Sequence, residues 1–477
     1  MTIERTAART YPPHDTAELG RVHAHLDATR EELLEHLIGW VRIRSVSANP
    51  ENTPDMVRSA HWLAALLRAT GFPEVEVWRT PGAPAVFARW HETPGAPTVL
   101  VYSHHDVRPA EDDHWEQTPP FEPALRDGRL WGRGASDAKG QVLAHVWGLR
   151  AHLAATHRRA PEVNLTVLVE GEEEAGSTHL AALLREHREQ LACDLVVLSD
   201  TMTWSREHPA VCTGVRGSLS AELEVRGPLR DVHSGAVSGT TPNPVLALSR
   251  LLAGLHDAEG RVTLPGFYDD VVEPGEEELR ALAQLPYDEA DWLERSSTGS
   301  VVGERGWSVP ERLYVRPSVE VVSLLAGDPV GPSQGAIPSV ATAGISVRTV
   351  PGQSVARVAE QLRAWAREGL GEEVAHELRV SEESGQEPYA TPWDLPALAQ
   401  LQVAAAEGFG RPVGRMRNAG GAPAHLLATS LGAPLVFFGT GLPEDNWHDS
   451  DESVHVDLLL AGAATLARFW SRLGVPG

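Results

Sequence analysis

Four short runs of apolar, largely β-branched residues constrain the fold of this chain most: PTVLVYS (97–103), NLTVLVEG (164–171), DLVVLSD (194–200) and APLVFFGT (433–440). None of them alternates between apolar and polar. A strand with one solvated face must alternate, so these runs read as strands buried on both faces. Helical patterns separate them. In TPDMVRSAHWLAALLRATG (53–71), Thr53 is the expected cap, Pro54 suits the first helical position and Gly71 closes the end. Strands alternating with helices predict an α/β fold, a mostly parallel sheet with helices on both faces.

The middle of the chain follows another rule. SLSAELEVRG (218–227) and TAGISVRTVP (342–351) alternate as half-exposed strands do, while 242–256 and 354–369 read as amphipathic helices. Two helices on a small sheet make an α+β unit. The stretch 257–313, rich in Glu, Asp, Gly and Pro, reads as a long irregular insertion within it, and the α/β pattern returns after Tyr389. The organisation expected is a loose arm over 1–17, a catalytic domain over 18–212 and 389–477, and an inserted α+β domain over 213–388. With 477 residues, two or three domains are expected at about 100–200 residues each.

Composition narrows the function classes. Hydrophobic residues make up 42% and charged residues 22%, enough for a large core. The 65 acidic against 41 basic side chains leave a net charge of −24, which disfavours a nucleic-acid partner. Of the two cysteines, Cys193 and Cys212, no CxxC pair can be made, which argues against a thiolate metal site and fits a reducing compartment. The N-terminal stretch MTIERTAARTYPPHDTAEL lacks the apolar core of a signal peptide, and no run of about 18 apolar residues occurs. A cytoplasmic protein without a membrane partner is expected.

Histidines and carboxylates cluster after the strand-like runs, where ligands bind in open α/β sheets. In SHHDV (103–107), His104 and Asp106 share a side of an extended chain, and a carboxylate there can fix the tautomer of a metal-bound imidazole. In LWGRGASDAKG (130–140), glycines allow a tight turn beside Asp137, whose two oxygens can bridge two ions. Lys139 reads as a solvated or structural cation. In VEGEEEAGS (169–177), three consecutive glutamates repel one another unless cations compensate. Asp200 ends DLVVLSD, and His448 lies in the polar loop NWHDSDES (446–453). Alone, the His104 and Asp137 clusters read better as a polar loop and a turn leading into a helix cap, and the glutamate run reads about equally well as an acidic surface. Together they offer imidazoles and carboxylates without sulfur, a donor set for zinc, manganese or cobalt. Two such ions about 3.5–4 Å apart polarise a carbonyl and lower the pKa of a shared water.

The order His-x-Asp, Gly-Arg-Gly-x-x-Asp, Glu-Glu-x-Gly-Ser, Ser-Asp and a late His resembles the M20 metallopeptidases, most closely their carnosinase-like dipeptidases, over nearly the whole chain after the arm. The resemblance implies two divalent ions per subunit, zinc first, with His104 and Asp200 on one, Glu174 and His448 on the other and Asp137 bridging. It makes Glu173 the general base, Asp106 the residue that orients His104, and Glu172 an extra acidic neighbour. It assigns the inserted domain as a lid through which a homodimer forms. There His233 of RDVHSG (230–235) reaches the partner's active site and stabilises the oxyanion, and Arg348 clamps the substrate carboxylate. Gly420 and Gly421 of NAGGAP (418–423) line the substrate pocket, with Arg417 beside them.

The chain departs from the branch at Ala138, where an aspartate is frequent, and at Ser103, where a glycine is frequent. The bond after Asp137 is expected to be cis, as in the family. The function implied is hydrolysis of dipeptides or similar small amides by a water bridging the two ions. N-acyl-amino-acid deacylation on the same scaffold is the alternative. A carboxypeptidase of longer chains, which needs an open cleft, and a non-catalytic binding protein, which would lack a ligand or the base, rank lower.

Overall fold

The computed structural model describes residues 16–111, 114–327, 335–371 and 374–474. The arm expected over 1–17 lies outside these residues except for Thr16 and Ala17, which open the helix Thr16–Ala28.

All four non-alternating runs are strands of one six-stranded sheet. Asn164–Glu170, Thr98–His104, Leu195–Ser199 and Leu435–Phe438 lie side by side and parallel, and Glu74–Trp78 and Ala85–Trp90 extend the sheet antiparallel at one edge. Alternate residues enter two different cores. Val99, Val101 and Val167 pack with Leu63, Val142 and Leu459 of the helices Thr53–Thr70, Lys139–Thr156 and Val456–Gly474. Leu100, Tyr102 and Leu198 pack on the opposite face with Leu183 and Leu427 of the helices Leu180–Glu186 and Ala424–Leu431. Both faces are therefore apolar, which is why the runs do not alternate.

The expected helix of 53–71 is present as Thr53–Thr70, closed by Gly71 at φ 115°. Its cap differs by one residue. Asn52 holds the N-cap position, and the Thr53 hydroxyl instead donates to the Pro50 carbonyl at 2.7 Å, because a short 3₁₀ turn, Pro50–Asn52, leads directly into the helix.

The inserted α+β domain has an antiparallel sheet in the order Ser318–Ala326, Val340–Thr349, Gly217–Arg226, His376–Val380. One face carries Leu219, Leu223, Ile345 and Val347 into a core with the helices Pro244–Ala253 and Val355–Leu370. The other face is polar. The strand Ala210–Val215 runs past residue 212 and pairs with Gly414–Asn418 and Tyr389–Ala390 before the four-stranded sheet begins at Gly217. The stretch 257–313 is less irregular than expected, with helices Glu276–Ala283, Glu289–Arg295 and Val309–Tyr314. Leu282 and Leu285 of this stretch pack on Ala210 and Met416, so it lies across the junction of the two domains.

Candidate dinuclear metal site

Three neighbouring parallel strands deliver the first groups. His104 is the last residue of Thr98–His104, Asp200 follows Leu195–Ser199, and Glu173 and Glu174 follow Asn164–Glu170 after one turn. Asp137 comes from the loop before Lys139–Thr156, and His448 from the loop after Leu435–Phe438. His104 Nε2 lies 3.2 Å from Asp137 Oδ1 and 3.6 Å from Asp200 Oδ1. On the other side of Asp137, His448 Nε2 lies 3.0 Å from Oδ2 and 3.3 Å from Glu174 Oε2. Two triads result, His104–Asp137–Asp200 and Asp137–Glu174–His448, each with its ligand atoms within 4.8 Å of one another and with Asp137 common to both.

Asp106 organises one half of this arrangement. Its Oδ1 is 3.3 Å from His104 Nδ1, which turns Nε2 toward Asp137 and Asp200. The same carboxylate accepts from the backbone N–H of Glu173 at 3.3 Å and of Glu174 at 3.0 Å, and from Ser47 Oγ at 2.6 Å. The turn Glu173–Ala175, ended by Gly176 at φ 90°, is thereby pinned beside His104. Glu172 points elsewhere, onto His179 at 2.8 Å. His105, adjacent in sequence to His104, faces the opposite way and bonds the Pro84 carbonyl at 2.8 Å; burial lowers its pKa to about 4.

The electrostatics show a site built for cations. Burial alone would lower the pKa of His104, but Asp106, Asp137 and Asp200 around it raise it well above the usual histidine value. Burial raises Asp137, yet its bonds to His104 and His448 hold it below the ordinary carboxylate range. Burial and the neighbouring charges, Asp200 for Glu173 and Asp137 for Glu174, push both glutamates well above it. Buried His104 Nε2 and Glu174 Oε1 have no hydrogen-bond partner in the protein. Buried polar atoms are normally satisfied. An unsatisfied His104 Nε2 between Asp137 and Asp200, and an unsatisfied oxygen on Glu174 beside His448, fit a pair of divalent ions held by carboxylates and imidazoles. The bond Asp137–Ala138 is cis.

Residues missed in the sequence hold the loops in place. Glu452 is fully buried and accepts from the backbone N–H of Gly134, Ser136 and Asp137, each at 3.0 Å, and from Arg133 at 2.9 Å. It fixes the Asp137 loop from within the polar run that contributes His448. Gly134, at φ 89°, could not carry a side chain here, since a Cβ would lie 2.6 Å from Val107. Arg108 Nη1 donates to the Glu174 carbonyl at 3.2 Å. Their partners lie 66 or more residues away, beyond any local spacing signal. Lys139 is fully buried rather than solvated, its Nζ bonded to the carbonyls of Trp40 and Ile43, and burial lowers its pKa to about 7. Ser103 is accommodated by donating to the Ser199 carbonyl at 2.7 Å.

The remaining expected residues lie outside the triads. His233 is exposed on the inserted domain, 3.4 Å from the Gly335 carbonyl, and among the described residues it contacts none of the cluster. Arg348 is half-buried on the polar face of the four-stranded sheet. Gly420 accepts through its carbonyl from the Arg216 N–H at 3.2 Å. Gly421 packs so closely on Gln386 that a Cβ would lie 2.0 Å from its Oε1. Arg417 pairs with Glu278 of the insertion at 2.5 Å.

Residues 100–472 match the model of peptidase family M20/M25/M40. The chain belongs to this family. Among M20 relatives, the human Beta-Ala-His dipeptidase is 26% identical over 475 residues, 96% of this chain and 93% of its own length. The cysteinylglycine-S-conjugate dipeptidase of Corynebacterium striatum is 26% identical over 90% of this chain and 93% of its own. The crystal structure of human carnosine dipeptidase 1 superposes with a TM-score of 0.81 at 26% identity, covering 97% of this chain and all of that one. As in M20 structures of this kind, a mostly parallel α/β domain is interrupted by a smaller α+β domain. Among the described residues no helix is long and apolar enough to cross a membrane.

Proposed function

We propose that this M20 chain is a metal-dependent dipeptidase. The observation that carries the reading is the pair of triads sharing Asp137, with Glu173 beside them. One divalent ion would be held by His104, Asp137 and Asp200, the other by Asp137, Glu174 and His448. When bound, two such ions polarise the scissile carbonyl and lower the pKa of a shared water. Zinc is the native metal in this reading, with manganese or cobalt able to substitute in the same donors.

Glu173 takes the proton of the attacking water and returns it to the leaving amine. Asp106 keeps His104 in the tautomer and orientation that ligation needs. Arg348 binds the substrate's α-carboxylate, and the backbone of Gly420 and Gly421 lines the pocket beside it. The partner subunit's His233 donates to the developing oxyanion, and closure of the inserted domain as a lid brings it there.

Two features support a homodimer through the inserted domain. His233 is exposed, and its ring bonds the Gly335 carbonyl of its own domain rather than any group of the triads among the described residues. The edge strand Ser318–Ala326 carries Val322, Leu324 and Leu325 at 66%, 53% and 61% exposure on its two faces, an apolar edge open to strand pairing. A reducing cytoplasmic setting agrees with Cys193 and Cys212, both free thiols.

The test is hydrolysis of a panel of dipeptides and N-acyl amino acids, with Glu173→Ala alongside and bound metal measured. Dipeptide cleavage abolished by chelation, with the variant about 10²–10⁴-fold slower but still holding two ions, is expected. Turnover of acylated amino acids alone would overturn the substrate class.

A further inference from the structure

A cleft of about 680 Å³ lies over the polar face of the four-stranded sheet, roofed by the 256–316 stretch. Its floor is a matched set of positions. Arg348 pairs with Ser218 on one side and Ser318 on the other, and Ser346 with Ser220 and Glu320. Arg216 precedes this strand by one residue and, by the two-residue period, faces the same side. Arg216, Ser318, Ser346 and Arg348 all line the cleft.

Its charge is opposite to that of the molecule. In a chain of net charge −24, the lining carries four arginines, Arg216, Arg312, Arg316 and Arg348, against two glutamates, Glu304 and Glu320. Two of the four are committed. Arg316 is bonded to Glu304 and Glu273 at 2.9 Å, and Arg312 to the carbonyls of Glu304 and Val302. Arg216 and Arg348 are different: among the described residues neither meets a carboxylate. Arg216 is only 8% exposed, and its one side-chain bond runs from Nε to the Ala419 carbonyl at 3.0 Å, in the glycine loop. Arg348 stands opposite Ser218, two residues beyond Arg216, so the two arginines are diagonal neighbours in the lining of one cleft; burial, and next the charge of Arg348, lower the Arg216 pKa to about 10. A protein does not keep two unpaired neighbouring cations in a partly dry cleft without cost, and a bound anion removes it.

We infer that Arg216 and Arg348 together form a subsite for a doubly charged leaving residue, so that dipeptides ending in glutamate or aspartate are preferred substrates. This rests on the dipeptidase reading, in which Arg348 binds the α-carboxylate. One guanidinium suffices for that group. Arg216 supplies the second cation for a side-chain carboxylate, the serine hydroxyls can add donors, and the cleft has room for a whole side chain. Arg216 also connects this recognition to the pocket wall, since its backbone N–H and its Nε both bond the 419–420 backbone.

The test compares Ala-Glu with Ala-Gln, which differ by one charge at nearly equal size, on the metal-loaded full chain, on Arg216→Met and on Arg216→Lys. The expected result is a kcat/KM ratio favouring Ala-Glu by about tenfold or more in the native chain, collapsing toward unity in Arg216→Met and partly kept in Arg216→Lys. Equal use of the two peptides by the native chain, or an Arg216→Met variant that keeps the native ratio, overturns the inference. Calorimetric titration with free L-glutamate and L-glutamine separates the two readings. Glutamate binding that depends on Arg216 in a protein that cleaves no dipeptide would sink the dipeptidase reading and leave this subsite standing. Cleavage of dipeptides without any preference for the acidic one would do the reverse.

Discussion

Along the strand Thr98–His104, Val99 and Val101 enter one core and Leu100 and Tyr102 another, so no face is left for chemistry and the polar groups gather where the strand ends, at His104 and Asp106. Along Gly217–Arg226, Leu219 and Leu223 enter a core, while Ser218 and Ser220 alternate to the other face, whose cleft is lined by Arg216 and by Ser346 and Arg348 of the neighbouring strand. The first sheet offers its carboxyl edge, the second an entire face. A site at an edge is assembled from loops of distant sequence and must be tied together by buried bonds. A site on a face is spaced by the strand period itself and needs fewer such ties.

The strongest way to break this contrast is to cut a tie at the edge. Glu452→Ala leaves Arg133 buried without its partner and three backbone N–H groups of the Asp137 loop unsatisfied. A loss of about 3–5 kcal/mol in unfolding free energy, together with about 10–100-fold weaker metal binding, is expected from denaturant titration and metal titration. Normal metal affinity in this variant would mean that the loop is held by something else.

A gentler probe is pH. In the metal-free protein the two ligands His104 and Glu174 hold their protons to higher pH than usual. Ions bind the deprotonated ligands, so binding must expel protons, and affinity is lost as pH falls. As pH falls through the range in which these raised groups take up protons, the metal affinity should drop by about tenfold per unit for each proton displaced, and calorimetry in buffers of different ionisation enthalpy should show net proton release. A flat profile would contradict the assignment of these groups as ligands.

The smallest effect on folding, though not on assembly, belongs to the outer edge of the four-stranded sheet. Leu325→Lys, at a position 61% exposed, should change stability by no more than about 0.5 kcal/mol, and if the proposed homodimer forms through this edge it should lower the dimer fraction in sedimentation experiments. A dimer of unchanged strength would place the subunit contact elsewhere.

Much of this was legible before any coordinates. Non-alternating runs are apolar for a reason that acts locally, burial on two faces, and they marked all four parallel strands to within a residue or two. The alternating runs marked two of the four strands of the second sheet in the same way, and Ser318–Ala326 and His376–Val380 were not marked. The family motifs then selected His104 over His105 and Glu173 and Glu174 over Glu172, choices that residue types alone left open. The geometry behind them is a matter of direction: His105 turns to Pro84 and Glu172 to His179. The cap at Asn52, the helices within 257–313 and the burial of Lys139 were not legible, since each depends on what packs against the segment.

By itself the sequence determined the two kinds of sheet, the order of the groups that bear chemistry and their position at strand ends, because hydrophobic period and motif spacing are properties of neighbours along the chain. Only the tertiary structure decided that Asp137 stands between His104 and His448, that Glu452 reaches back over more than 300 residues to hold it, and that Arg216 and Arg348 share one cleft where, among the described residues, neither meets a carboxylate. Those relations cross between loops and strands far apart in the chain, and their energies come from burial and charge proximity, which exist only once the chain has folded.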